Sequence, residues 1–177
     1  MRREVDVFKY VKEVNHLMKK EGLLLVTQGS DKKVNAMTIG WGFLGTMWSR
    51  PVFIVAVRLS RHTYKLIEDS ESFTVCLPAE EMSEALTVCG TMSGRDMDKL
   101  KQLGLSLEKG VKVATPYIKE CPVHLECRTL YKDAMTQGRL DKKVETEMYK
   151  TGDWHVLYYG EVVGVFEETK AKEMLMK

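Results

Sequence analysis

Arg58-Leu59-Ser60-Arg61-His62-Thr63 places two guanidinium groups and two hydroxyls within one short stretch. Ser60 stands where a helix N-cap belongs, ahead of residues 61–68. Exposed backbone NH groups, the positive end of a helix dipole and bidentate arginine together favour a phosphate dianion. The same residues also suit a solvated cap, with Ser60 satisfying a helix NH and the arginines facing water. A second cluster, residues 35–48, sets Gly40, Gly42 and Gly45 among Met37, Thr38, Trp41, Thr46, Met47 and Trp48. Glycines let a flat ligand approach backbone NH and CO groups, while Met and Trp can cover its ring. Read alone, such residues are usually core, and the glycines merely turn the chain.

Next to both clusters lies Val52-Phe53-Ile54-Val55-Ala56-Val57, opened by Pro51. Its β-branched residues and unbroken apolarity suit a central strand buried on both faces. At roughly 3.3 Å per residue it spans about 20 Å. It is therefore expected to hold a ring-covering loop at one end and an anion site at the other, the reach of a phosphorylated, tailed aromatic cofactor.

The elements that must position these residues can be read from periodicity. Val7, Val11, Val14 and Leu17 recur at helical spacing and predict an amphipathic helix over 5–20, stopped by Gly22. Residues 23–27 and 34–39 read as a hairpin around Gly29-Ser30-Asp31. A short helix over 61–68 precedes a strand over 73–77. Residues 79–103 hold two short helices divided at Ser93-Gly94-Arg95-Asp96 and ended by Gly104, an excursion from the sheet. Strands are expected over 123–131, 138–147 and 155–166, with a short helix or frayed tail from Glu167. Strands outnumber helices and do not alternate with them regularly, so the predicted class is mainly β, an antiparallel barrel with helical insertions.

The 177 residues, 44% hydrophobic, suffice for one core and predict a single domain over 1–177. Lys and Arg number 27 against 25 Asp and Glu and are scattered, so no nucleic-acid footprint is expected. No apolar run nears the roughly 20 residues that span a bilayer, and the charged N-terminus does not read as a secretory signal. Cys76, Cys89, Cys121 and Cys127 show no CxxC spacing, which suits a reduced, cytoplasmic setting. Cys121 and Cys127 fall on one face of a predicted strand, about 20 Å apart, and make no local redox pair. His16, His62 and His124 are too scattered for a metal site. Nucleophile-elbow, Walker and Rossmann motifs are all missing.

Asn35-Ala36-Met37-Thr38-Ile39-Gly40-Trp41-Gly42, Arg58-Leu59-Ser60-Arg61-His62-Thr63-Tyr64, Gly90-Thr91-Met92-Ser93-Gly94-Arg95-Asp96 with Asp98-Lys99, and Gly152-Asp153-Trp154-His155 leading to Tyr159-Gly160-Glu161 follow one another along the chain. In that order they resemble the FMN-binding split-barrel flavin reductases and, within them, the flavoredoxin-like branch. The resemblance implies a six-stranded Greek-key split barrel, normally a homodimer with FMN near the subunit interface. It implies that Met37, Thr38, Gly40, Trp41, Gly42, Thr46, Met47 and Trp48 line the isoalloxazine, largely through backbone contacts. It assigns Arg58, Ser60, Arg61 and Thr63 to the ribityl phosphate, and brings Ser93 and Lys99 toward the flavin from the helical excursion. In the family a Gly-Asp-His motif precedes the last strand, its histidine close to where nicotinamide stacks. Here Trp154 is inserted, so His155 is a candidate for that position and reads equally as a strand histidine on a half-exposed face.

On this likeness the expected activity passes reducing equivalents from NADH or NADPH through FMN to free flavin, ferric iron or a redox protein. The alternatives are an FMN electron carrier that serves partner proteins only and a split barrel without flavin.

Overall fold

In the computed structural model, which describes residues 2–176, the run Leu23-Leu24-Leu25-Val26-Thr27 explains the layering. All of it is buried, and with no polar alternation both faces of strand β2 (Leu23–Gln28) need cover. Leu23 and Leu25 join the barrel interior with Met37, Phe53, Val55, Phe73, Leu125 and Tyr158. Leu24 and Val26 meet Ala36, Cys76, Leu86, Cys89 and Leu100 on the outside. That outer layer belongs to helices α3 (Ser83–Thr91) and α4 (Lys99–Gln102). The helical excursion thus covers the outer face of β2 and carries residues 93–99 to one corner of the barrel. Each large apolar side chain buried this way contributes about 1.5–3 kcal/mol.

The main sheet runs β3 (Val34–Ile39), β2, β6 (Ser72–Leu77), β9 (Val123–Ala134), β10 (His155–Glu167), β5 (Arg50–Arg58), β4 (Gly42–Met47), with β1 (Arg3–Val5) added to the far half of β10. Every pairing is antiparallel. The end strands β3 and β4 are not paired with each other, and α1 (Val11–Lys19) packs against β4, so the barrel is split. A separate ribbon joins β7 (Leu107–Glu108) to β8 (Tyr117–Ile118).

The class is as expected, with three differences of detail. The sheet has eight strands rather than six, because the glycine-rich segment after β3 is itself strand β4 and Arg3–Val5 pairs with β10. That pairing also delays the first helix to Val11. Residues 138–147 are not a strand: Asp141 accepts from the amides of Lys143 and Val144 and starts helix α5 (Lys142–Met148). Finally, β5 lies between β10 and β4, one strand in from the edge. The hairpin of β2 and β3, helix α2 (His62–Glu68), the turn at Gly104 and helix α6 (Ala171–Met174) follow the sequence reading.

Candidate functional site

Strand register gathers the site at one end of the barrel. Arg58, last in β5, pairs with His155, first in β10. Gly42, first in β4, pairs with Val55, and the Trp41 carbonyl accepts from the Ala56 amide at 3.1 Å. A recess of ≈ 170 Å³ opens there among Met37, Thr38, Gly40, Trp41, Arg58 and His155. Gly42 permits the close approach of the two strands, since a Cβ would stand 2.2 Å from the Ile54 carbonyl oxygen.

This register corrects the expectation that residues 52–57 separate a ring loop from an anion site. Because β4 runs back along β5, Gly40 and Trp41 sit at the Arg58 end. Thr46 and Met47 are carried to the other end, opposite Pro51 and Arg50, roughly 20 Å away by strand rise. Trp48, in the turn beyond with φ 52°, packs on Tyr131 and Tyr159 with ring centroids 6.2 and 5.9 Å away. Thr46, Met47 and Trp48 are therefore not brought to the recess of their own chain.

A second recess of ≈ 130 Å³ adjoins the first through Met37 and Arg61, which line both. Ser60, Thr63, Ser93, Arg95 and Lys99 complete its wall, with His62. Arg61 gives one NH to the Gly90 carbonyl at 3.1 Å and Arg95 one to the Ser60 carbonyl at 3.2 Å. Lys99 is 4% exposed, and its Nζ reaches the Cys89 carbonyl at 3.4 Å. Among the described residues none of these three cations forms a salt bridge. A buried charge without a partner costs on the order of several kcal/mol.

The electrostatics agree. Burial draws the Lys99 pKa below its usual range, against an opposing pull from Cys89 and with a lesser push from Arg61. Burial, Arg95 and Lys99 do the same to His62, whose buried Nδ1 has no hydrogen-bond partner among the described residues. Cations that depress one another's protonation create a positive potential that a bound anion relieves. Gly94 lets its loop close against this corner: a Cβ there would stand 2.3 Å from Asn35 Oδ1 and 2.9 Å from His62 Cδ2.

Two residues assigned to phosphate are engaged elsewhere. Arg58 donates to the carbonyls of Asp153 at 2.7 Å and Met148 at 3.2 Å. The Ser60 hydroxyl and amide both donate to the Asp153 carboxylate, at 2.6 and 3.0 Å. Arg58 and Ser60 therefore pin the β9–β10 connection across the mouth of the site. Ser60 is not the helix cap either; Arg61 takes that position without a side-chain cap bond. The Thr63 hydroxyl accepts from Asn35 at 2.8 Å, and Thr38 donates to the Leu86 carbonyl at 2.6 Å.

His155 is buried rather than half-exposed, at 6%. Its Nδ1 lies 2.7 Å from the Tyr149 hydroxyl, and its ring is 4.7 Å from that of Trp41. Burial, then Arg58, push its pKa down to about 4, against the opposing charge of Asp153, so the imidazole is neutral at pH 7. The inserted Trp154 stacks on Tyr149 at 4.5 Å and 13°.

Sequence reasoning missed Arg95, Asn35, Tyr149 and Asp153 as site residues. Arg95 and Asp153 stand inside matched motifs, and their charge was the available signal. Tyr149 offered none, because the helix before it was read as a strand.

Comparison with known proteins places this geometry. Residues 19–177 match the family described as flavin reductase like domain. An uncharacterized protein of Archaeoglobus fulgidus is 35% identical over 141 residues, 80% of this chain and 69% of the relative. The flavoredoxin of Desulfovibrio vulgaris (Miyazaki F) superposes with a TM-score of 0.68 at 22% identity, over 88% of this chain and 74% of its own. An FMN-binding domain of a flavin reductases-like enzyme from Shewanella baltica gives 0.66 at 18% identity, over 94% and 77%.

Proposed function

This chain belongs to the flavin reductase-like domain family, and from that premise we propose that it holds FMN across the two joined recesses and acts as an oxidoreductase supplied by NADH or NADPH. The observation that carries this reading is the buried, unpaired Lys99 beside Arg61 and Arg95, opening directly onto an aromatic-walled recess. Positive charge without an internal counter-ion at one end, and a Trp, a Met and glycine backbone at the other, fit a phosphate joined to a flat ring.

Arg61, Arg95 and Lys99 would neutralise the phosphate, with the Ser93 loop closing on it. Met37, Trp41 and the Gly40 backbone would cover the ring and keep water from it. FMN, when bound, supplies a ring that accepts reducing equivalents from a nicotinamide and releases them to an acceptor. Free flavin, ferric iron or a redox protein would serve as acceptor. On this reading no side chain acts as nucleophile; the chain binds, orients and sets the local field.

A homodimer belongs to the same proposal. Trp48 and Tyr131, 52% and 46% exposed, would offer a second copy an aromatic face, at the end of the barrel away from the recess and not, as the likeness implies, beside FMN.

The test is the visible spectrum of FMN-reconstituted, desalted protein before and after anaerobic NADH or NADPH. Retained flavin that bleaches supports the reductase. Retained flavin that stays oxidised replaces it with the electron carrier, and a colourless protein that takes up no FMN contradicts both.

A further inference from the structure

Tyr149 lies outside every motif that carries the family likeness, yet its hydroxyl is the sole hydrogen-bond partner of the His155 ring among the described residues, at 2.7 Å from Nδ1. We infer that Tyr149 is a positioning residue: its phenol donates to Nδ1 and fixes His155 as the tautomer whose Nε2–H faces the ring recess, ready to donate to a carbonyl oxygen of the ligand ring. The identity of that ring as a flavin rests on the function proposed above.

The phenol has one proton and two acceptors in reach, Nδ1 at 2.7 Å and the Met135 sulfur at 3.0 Å. An imidazole nitrogen is the far stronger acceptor, a thioether a weak one. Donation to Nδ1 requires that nitrogen to be bare. In a neutral imidazole the proton is then on Nε2. The depressed pKa of about 4 keeps the ring neutral through the physiological range. His155 lines the recess, so its free nitrogen is available to a ligand.

The surroundings hold Tyr149 from several sides. Trp154 stacks on one face of its ring, and the Arg58 guanidinium lies 5.3 Å from its centroid. Arg58 also ties down the carbonyls of Met148 and Asp153, one on each side of the tyrosine in sequence. Trp41 packs against both Tyr149 and His155. Such redundancy holds the phenol oxygen in place beside Nδ1, which a residue serving only to fill space does not need.

Long-range ¹H–¹⁵N NMR of the histidine rings tests this in the apo-protein and during titration with FMN. Wild type should show His155 with Nε2 protonated and Nδ1 bare, and its Nε2 signal should shift as FMN saturates. Tyr149→Phe keeps the aromatic stack but removes the donor, and should move both nitrogen signals toward the average of exchanging tautomers.

A wild-type ring protonated at Nδ1 would overturn the inference, as would a Phe variant with an unchanged tautomer. So would an Nε2 signal that stays still while FMN binds. Flavin fluorescence in the same samples separates the two readings: if FMN does not bind at all, the proposed function fails and takes the ligand half of the inference with it. The wrong tautomer in protein that does bind FMN defeats the inference alone.

Discussion

Lys99 and Arg58 illustrate how two cations in one site come to do different work. Lys99 is buried with no acid to meet it among the described residues, which is costly unless an anion arrives. Arg58 already spends its guanidinium on two backbone carbonyls of one connecting segment. Removing either should weaken flavin binding, but in distinguishable ways. Arg61→Ala or Lys99→Met should cost about 2 kcal/mol of FMN affinity, roughly thirtyfold, and leave riboflavin, which lacks the phosphate, nearly unaffected. Arg58→Ala should weaken FMN and riboflavin alike, because it loosens the wall of the ring recess. Parallel fluorescence titrations of the two flavins with each variant check this; an Arg61→Ala variant that loses both equally would remove Arg61 from the phosphate.

At the scale of elements, the β9–β10 connection is held over the site by Asp153, which takes two hydrogen bonds from Ser60. Asp153→Ala should speed amide exchange over residues 142–154 while the β2–β3 hairpin keeps its protection. Uniform loss of protection would show instead that Asp153 supports the whole barrel. A second clasp joins the N-terminal segment to β10, where Glu167 is bonded by Arg3, Lys9 and Tyr10. Burial works to raise the Glu167 pKa, but the hydrogen bonds from Lys9, Tyr10 and Arg3 prevail and hold it at about 2. The folded pKa lies below the unfolded value, so the clasp contributes fully above about pH 4.5 and is lost as pH falls toward 2. Glu167→Gln should therefore lower the melting temperature clearly at pH 7 and much less at pH 3, as calorimetry at the two pH values can measure.

These elements also show what was legible beforehand. The strands at 23–28 and 50–58 announce themselves by continuous apolarity, those at 34–39 and 155–167 by their β-branched and aromatic residues, and the excursion over 79–103 by its capping and glycine signals. The glycine-rich strand β4 does not, since Gly42 and Gly45 interrupt it and carry too little β-propensity to stand out. Helix α5 is nearly all polar, and its one clear signal, the Asp141 cap, is local. Register was beyond reach altogether. Whether Gly40 and Trp41 meet Arg58 or oppose it depends on which strand turns back, and only the folded pairing of β4 with β5 decides that. The residue types of the site were thus readable, and the end of the barrel at which they meet was not.

For the whole molecule, the two ends of the barrel carry different chemistry: cations and a recess at one, the exposed rings of Trp48 and Tyr131 at the other. If that aromatic end meets a second copy, light scattering should give twice the chain mass, and Trp48→Ser with Tyr131→Ser should give the single mass with the fold intact by circular dichroism. A monomeric wild type would contradict the dimer and leave the recess reading untouched. The central claim is that the unpaired cations exist to take a phosphate attached to a flavin. Calorimetric titration of the wild-type protein, first stripped of flavin, with FMN and, separately, with riboflavin tests it most directly. The prediction is FMN binding tighter than riboflavin by about thirtyfold or more, about 2 kcal/mol; equal affinities for the two, or heat from neither, would contradict it.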